Sequence, residues 1–225
     1  MTGILLVDKP EGWTSFDVIA KLRGITHVRR IGHSGTLDPM ATGLLPVFIS
    51  REYTRLISTY EGADKEYVAG LRLGVVTDTY DTTGNTLLDA PAAVTRADLE
   101  RALEPFRGEQ LQTPPMYSAV KIGGERLYKI ARRGDEVERP ARPITVYDAE
   151  ILGGADADWL LRFVVSKGTY IRSLCHDVGQ KLGVGGAMSS LRRTRVGEFT
   201  IENSLTLEEI AALAASGELE KRFIK

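Results

Sequence analysis

The chain has little of what staples, ligates or shuttles electrons. Among 225 residues there are one cysteine and three histidines. A lone Cys175 excludes an internal disulfide and fits a reducing compartment. So few soft ligands argue against a structural zinc site. The neighbouring His176 does not make that thiol a nucleophile, because a buried cysteine is the commoner reading. Long apolar runs are also missing. Ile4–Val7 is short and Gly43–Ile49 contains Pro46, so nothing approaches the roughly 20 residues of a membrane span. Asp8 and Lys9 come too early for a signal-peptide apolar region. There is no phosphate-binding loop of the Walker type. Gly183-Val184-Gly185-Gly186 follows a helical stretch and lacks the last glycine of a dinucleotide fingerprint. Ser34 misses the nucleophile elbow, since Thr36 stands where the second outer glycine belongs. Asp78 and Asp81 lack cation-site spacing and read as solvated turn carboxylates.

What is present is ordinary globular composition, 43% hydrophobic and 26% charged, with a net charge of −1. That average conceals segregation. Trp159–Gly197 holds Arg162, Lys167, Arg172, Lys181, Arg192, Arg193 and Arg195 against Asp177 alone. Lys21–Arg30 holds four basic residues and no acid, whereas Asp78–Glu104 and Glu198–Lys225 are net acidic. Such asymmetry permits a basic face on a near-neutral protein. Scattered, solvated charge is the simpler reading of charge alone.

Local signals place the elements. Residues 1–10 read as a strand ending at a Lys9-Pro10 turn, and Thr14 or Ser15 caps a helix through Val18, Ile19 and Leu22. Gly32–Gly43 is a loop and Tyr67–Leu73 alternates as a strand. Thr77–Asn85 is turn material. Thr95 with Asp98, and Thr206 with Glu209, form capping boxes for two helices, the first through Leu103 and the second ending near Gly217. A short helix is expected near Leu127–Arg132, strands at Ile144–Leu152 and Trp159–Val165, a helix capped by Thr169, and a strand at Val196–Ile201. Hairpins and separated helices indicate α+β rather than strict βαβ alternation.

The most informative stretch is GHSGTLDPMATGLLPV, Gly32–Val47. Proline restricts the residue before it to extended backbone, so Asp38 is held in a fixed, non-helical conformation. A rigid loop presenting one carboxylate beside His33 suits nucleophilic or general-base work. An ordinary Asp-Pro turn before a buried Leu-Leu-Pro-Val run accounts for the same residues, and local physics leaves both readings open.

This segment resembles the catalytic motif of the bacterial tRNA pseudouridine-55 synthase family, TruB. Further blocks match in order: LLVDKPEGWTSFDV at Leu5–Val18, KEYVAGLRLGVVTDTYD at Lys65–Asp81, PPMYSAVKIGGERLYKIARRG at Pro114–Gly134, RPITVYD at Arg142–Asp148, SKGTYIRSLCHDVG at Ser166–Gly179 and LRRTRVG at Leu191–Gly197. They span nearly the whole chain. The resemblance implies a pseudouridine synthase fold, with a mixed, largely antiparallel central sheet flanked by helices. It implies a single catalytic domain over residues 1–225 with a thumb-like, RNA-clamping insertion at about 114–143, for which Gly123-Gly124 is a candidate hinge. It also implies roles. Asp38 is the catalytic nucleophile and Tyr67 stacks on the target uracil. Tyr170 packs against Tyr67, and Arg172 pairs with the catalytic aspartate. Leu191 lines the base pocket, His33 contacts the RNA loop beside the flipped base, and Lys9 lies near the site.

Pseudouridine formation is an isomerisation without redox change, so neither cofactor nor metal is expected. The implied partner is the tRNA T stem-loop, handled by a cytoplasmic monomer that needs no protein partner and no membrane. The family's C-terminal RNA-binding PUA barrel is expected to be absent. An RNA-guided synthase subunit and a non-catalytic tRNA-binding or folding module are the alternatives on the same scaffold.

Overall fold

Strand β1 (Gly3–Lys9) is buried along nearly its whole length, because its alternate residues feed two cores. Leu5 and Val7 pack with Val18, Ile19 and Leu22 of α1 (Ser15–Thr26), whereas Ile4 and Leu6 face the opposite side. A computed structural model describes all residues, 1–225, and continues with β2 (Ile31–His33), β3 (Thr42–Ile49), α2 (Arg51–Thr54), α3 (Ile57–Glu61) and β4 (Lys65–Leu73). The hairpin β5 (Val75–Thr77) and β6 (Thr86–Asp89) follows, then α4 (Arg96–Leu103) and β7 (Gly108–Gln112). A small hairpin of β8 (Lys121–Ile122) and β9 (Glu125–Arg126) leads into α5 (Leu127–Ala131). The chain closes with β10 (Arg142–Ala155), β11 (Asp158–Val165), α6 (Ile171–Lys181), β12 (Gly186–Val196), β13 (Phe199–Thr200) and α7 (Leu207–Ala215).

The fold is α+β, with a central sheet in the order β1-β3-β12-β4-β11-β10-β7; β2 adds to β3 and β13 to β12. Pairing is antiparallel at β1–β3, β2–β3, β10–β11, β7–β10 and β12–β13, and parallel at β3–β12. Pro46 is tolerated within β3 because β12 pairs that strand at Thr42–Gly43 and β2 at Val47–Ile49, which leaves proline between the two partners.

The chain divides into two compact units. One comprises Met1–Val68 and Leu191–Lys225; the other is Ala69–Ser190. In the first, Leu45, Val47 and Ile49 join the α1 side together with Leu207 and Ile210 of α7. Leu44 and Phe48 join the other side, where Tyr60 stacks on Phe199 at 4.8 Å between centroids. In the second, β10 pairs with β11 from Val146↔Val165 to Ala155↔Asp158, and Arg107 Nη2 donates to Ala149 O at 2.7 Å. Residues 114–143 have their own small core of Met116, Leu127 and Ile130. Gly123-Gly124, expected as a hinge, forms the tight turn of the β8–β9 hairpin, both residues at positive φ.

Both expected capping boxes form, Thr95 with Asp98 and Thr206 with Glu209; at α1 the cap is Thr14 rather than Ser15, and it makes a further box with Asp17. Thr169 is a correction. The residue capping α6 is Tyr170, without a side-chain cap, and Thr169 Oγ1 instead donates to Ser166 O at 3.0 Å. The expected strand at Val196–Ile201 is a two-residue arm, β13, folded back on a long β12 that the polar sequence around Ser189–Arg195 disguises.

Candidate active site

The Asp38 loop is pinned on every side within the first unit. Ser15, the first residue of α1, donates from Oγ to Leu37 O at 3.2 Å and accepts from Leu37 N at 2.9 Å. Asp38 O accepts from Ala41 N at 3.0 Å, closing the turn over Pro39. Pro39 O accepts from Gly12 N at 2.8 Å and from Lys9 Nζ at 3.4 Å. Gly35 O accepts from Arg193 Nη2 at 2.9 Å. These bonds fix the backbone on both sides of a half-buried Asp38 whose neighbour Leu37 is buried. A carboxylate held this way arrives at its target with little orientational freedom left to lose.

Beneath the loop lie three buried cations. Lys9 is fully buried, donating to Pro10 O at 2.9 Å and Trp13 O at 2.6 Å. Burial lowers its pKa to about 8, against the opposing pull of Asp38. Arg193 is fully buried, with Nε on Leu44 O at 2.8 Å. Lys65 donates to Ala63 O at 2.6 Å and Glu61 O at 3.2 Å. Arg193 reaches the loop because β12 runs beside β3 at Gly43. There, at φ +99°, a Cβ would lie 2.3 Å from Arg193 O, so only glycine permits the approach. His33, at the end of β2, has its pKa lowered by burial first and by the Arg193 charge second. Its Nδ1 is buried without a partner.

Five residues expected at the site therefore belong to this unit: Lys9, His33, Asp38, Tyr67 and Leu191. Tyr67 is buried on β4, and half-buried Leu191 accepts from Thr42 Oγ1 through its carbonyl at 3.5 Å. Arg192 clasps Asp8 with both terminal nitrogens, at 3.1 and 2.7 Å, beside Lys9 in sequence.

Tyr170 and Arg172 belong to the second unit. Gln112 clamps the Tyr170 backbone from both sides, accepting from its N at 2.8 Å and donating to its O at 3.1 Å. Arg172 is 6% exposed, at the second position of α6, where the helix dipole disfavours a cation. Asp81 offsets this at 3.4 Å, and the guanidinium also donates to Thr79 O at 3.1 Å and Tyr117 O at 2.8 Å. Asp81 is thus no solvated turn residue. It is 4% exposed and accepts from Thr79 Oγ1 at 2.9 Å and Thr83 N at 3.0 Å. Asp78 does staple the turn, accepting from Asn85 N and Nδ2. Cys175 is fully buried, and burial pushes its thiol up to about 12, so it supplies no nucleophile at neutral pH.

The strongly basic segment Trp159–Gly197 does not act as one exposed face. Arg172 and Arg193 are buried, Arg162 pairs with Asp148 and Glu150, and Arg192 pairs with Asp8.

Two solved structures share this α+β architecture over nearly the whole chain. A Cbf5-Nop10-Gar1 complex matches at TM-score 0.78 and 34% identity over 99% of this chain and 60% of that one. An H/ACA RNP bound to a substrate RNA containing 2'-deoxyuridine matches at 0.75 and 31%, over 100% and 59%. The chain thus spans about 60% of the length of these structural relatives. Two family models give the class, that of the pseudouridine synthases. The TruB family pseudouridylate synthase N-terminal domain matches residues 23–171, and the tRNA pseudouridylate synthase B C-terminal domain matches 172–224. The chain belongs to the TruB family of pseudouridylate synthases. The protein called tRNA pseudouridine synthase B from Heliobacterium modesticaldum is 51% identical over 94% of this chain and 70% of its own length. Those from Clostridium tetani and Opitutus terrae are 46% and 47% identical, over 93% and 100% of this chain and 73% and 92% of their own.

Proposed function

We propose that the 225 residues act as a catalytic unit that isomerises uridine 55 in the T loop of tRNA to pseudouridine, with Asp38 as nucleophile. The observation that carries this reading is the Asp38 loop, anchored at Gly35, Leu37 and Pro39 by Arg193, Ser15 and Lys9. The target uracil must leave its loop stack, at a cost of a few kcal/mol, and be received on an aromatic surface. Tyr67, Tyr170 and Leu191 are the residues proposed to receive it, with His33 on the RNA beside it. A carboxylate nucleophile divides the exchange into two easier steps. The N1–C1′ bond breaks, the uracil turns, C5 bonds to C1′, and a base removes the C5 proton. Arg172 keeps the role the resemblance gives it, the partner of the catalytic aspartate. Its support here is burial with Asp81, Thr79 and Tyr117, which fixes the guanidinium. Lys9 and Arg193 act as positioning residues, fastening the loop through carbonyl oxygens.

A cytoplasmic location and action as a monomer without protein partners belong to the same proposal. No helix of the chain is long and apolar enough to cross a membrane. The test is tritium release from a C5-labelled tRNA transcript. Asp38→Asn removes the nucleophile with almost no change in volume, so turnover falls by at least about a thousandfold while RNA affinity stays within about twofold. Near wild-type turnover in that variant overturns the assignment.

A further inference from the structure

On the first unit, an open cleft of about 510 Å³ is lined by Arg23, Arg29, Arg30, Ile31, Gly32, Thr54 and Ile57, with no residue of the Asp38 turn among them. Three arginines therefore meet in one cleft, and none of them forms an ion pair; Arg72, Arg96, Arg101, Arg107, Arg133 and Arg162, by contrast, are all matched to carboxylates. Two of the three are oriented through Nε. Arg23 Nε donates to Arg29 O at 3.1 Å, and Arg30 Nε donates to Thr54 Oγ1 at 3.2 Å. Arg23 also lies over the Phe16 ring, 5.9 Å from its centroid. A guanidinium held by Nε keeps its two terminal nitrogens for a bidentate acceptor. Arg23 suits the last turn of α1 because of the helix dipole. That account does not extend to Arg29 and Arg30, which lie beyond the helix.

We propose that this cleft is a phosphate-binding subsite for the RNA strand flanking the target uridine, separate from the base pocket. The inference rests on the RNA-modifying function proposed above. Three unmatched, partly pre-oriented cations in a cleft lacking acids repel one another until an anion arrives. The cleft is open, which suits a polymer backbone crossing it better than a small phosphate needing enclosure. Its floor is β2, whose Ile31 and Gly32 lead to His33. From Arg30 to His33 the strand covers about 10 Å, so a phosphate here sits close to the nucleotide that His33 is proposed to contact. Since the Trp159–Gly197 segment is largely committed to internal pairs, this cleft supplies cations that the segment does not.

The test compares wild type with Arg23→Ala/Arg29→Ala/Arg30→Ala on a T-arm hairpin, measuring Kd across a salt series and the single-turnover rate at saturating RNA. All three side chains are exposed, so the thermal midpoint should stay unchanged. Expected are a Kd raised about tenfold at 0.1 M salt and a log–log salt slope shallower by about 0.7–0.9 per lost phosphate contact, with the saturating rate within twofold of wild type. Arg29→Lys/Arg30→Lys should restore most of the slope. A neutral methylphosphonate walked along the RNA should weaken wild type at one or two positions and leave the triple variant indifferent there. Unchanged Kd and slope, or weaker binding with an unchanged slope, overturns the subsite. If wild type binds the hairpin but never converts it, the proposed function fails and the binding data still decide the cleft. If wild type does not bind, both fail.

Discussion

Lys9 shows what a single buried charge does. Its ammonium is surrounded by backbone carbonyls from Pro10, Trp13 and Pro39, yet burial still lowers its pKa to about 8 from 10.5. Below pH 8 the lysine is protonated folded and unfolded alike. Between about pH 8 and 10.5 the unfolded chain holds a proton that the folded chain has released, so stability from this group rises with pH across that window. Urea unfolding of wild type and Lys9→Met at pH 7, 9 and 10 should therefore show wild type gaining on the variant as pH increases. A decrease would mean that the carbonyls and Asp38 outweigh burial. The same residue marks a boundary of what the sequence discloses. Asp38, its non-helical loop and its glycine surroundings are legible because Asp-Pro and glycine act locally. The burial of Lys9, Lys65 and Arg193 is not, since a cation's partners are chosen by tertiary packing. Asp81 is illegible for the same reason: its acidic turn looks solvated until Arg172, 91 positions later, is placed beside it.

At the scale of elements, helix starts were the most readable features. The two expected capping boxes, each within four consecutive residues, form, and Thr14, one of two cap candidates for α1, makes a third with Asp17. Strand β12 was the least readable. Ser189, Ser190, Arg192, Arg193 and Arg195 give it a polar sequence, and its strand character comes from neighbours far away in the chain. The insertion at residues 114–143 carries a testable role of its own. Lys121, Arg126, Lys129 and Arg132 are exposed on it, with Arg126 and Arg132 both over the Tyr128 ring. Its small core of Met116, Leu127 and Ile130 is independent of those charges. Replacing the four with glutamine should raise the Kd for T-arm RNA about tenfold at 0.1 M salt and flatten the salt slope, leaving the bound-state rate within about threefold. A filter-binding titration at several salt concentrations checks this, and an unchanged slope rules the clamp out.

For the whole molecule, the Asp38 loop, the arginine cleft and the basic insertion all lie within these residues. Recognition confined to the target's neighbourhood predicts that an isolated T-arm hairpin is modified nearly as efficiently as full tRNA. kcat/KM on the two should agree within about a hundredfold, or about 2.7 kcal/mol. A larger penalty would show that remote contacts dominate. The parallel pairing of Arg192–Arg193 with Thr42–Gly43 has a consequence in time as well as space. A ribosome delivers Asp38 long before Arg193, so the newborn loop waits through some 150 residues of synthesis without the guanidinium that will hold Gly35 and Leu44. Residues 69–190, an uninterrupted stretch, emerge complete while the other unit still lacks its second segment. The Arg193 anchor thus arrives only once residue 193 has been made, and a chain abandoned earlier carries Asp38 without that mooring.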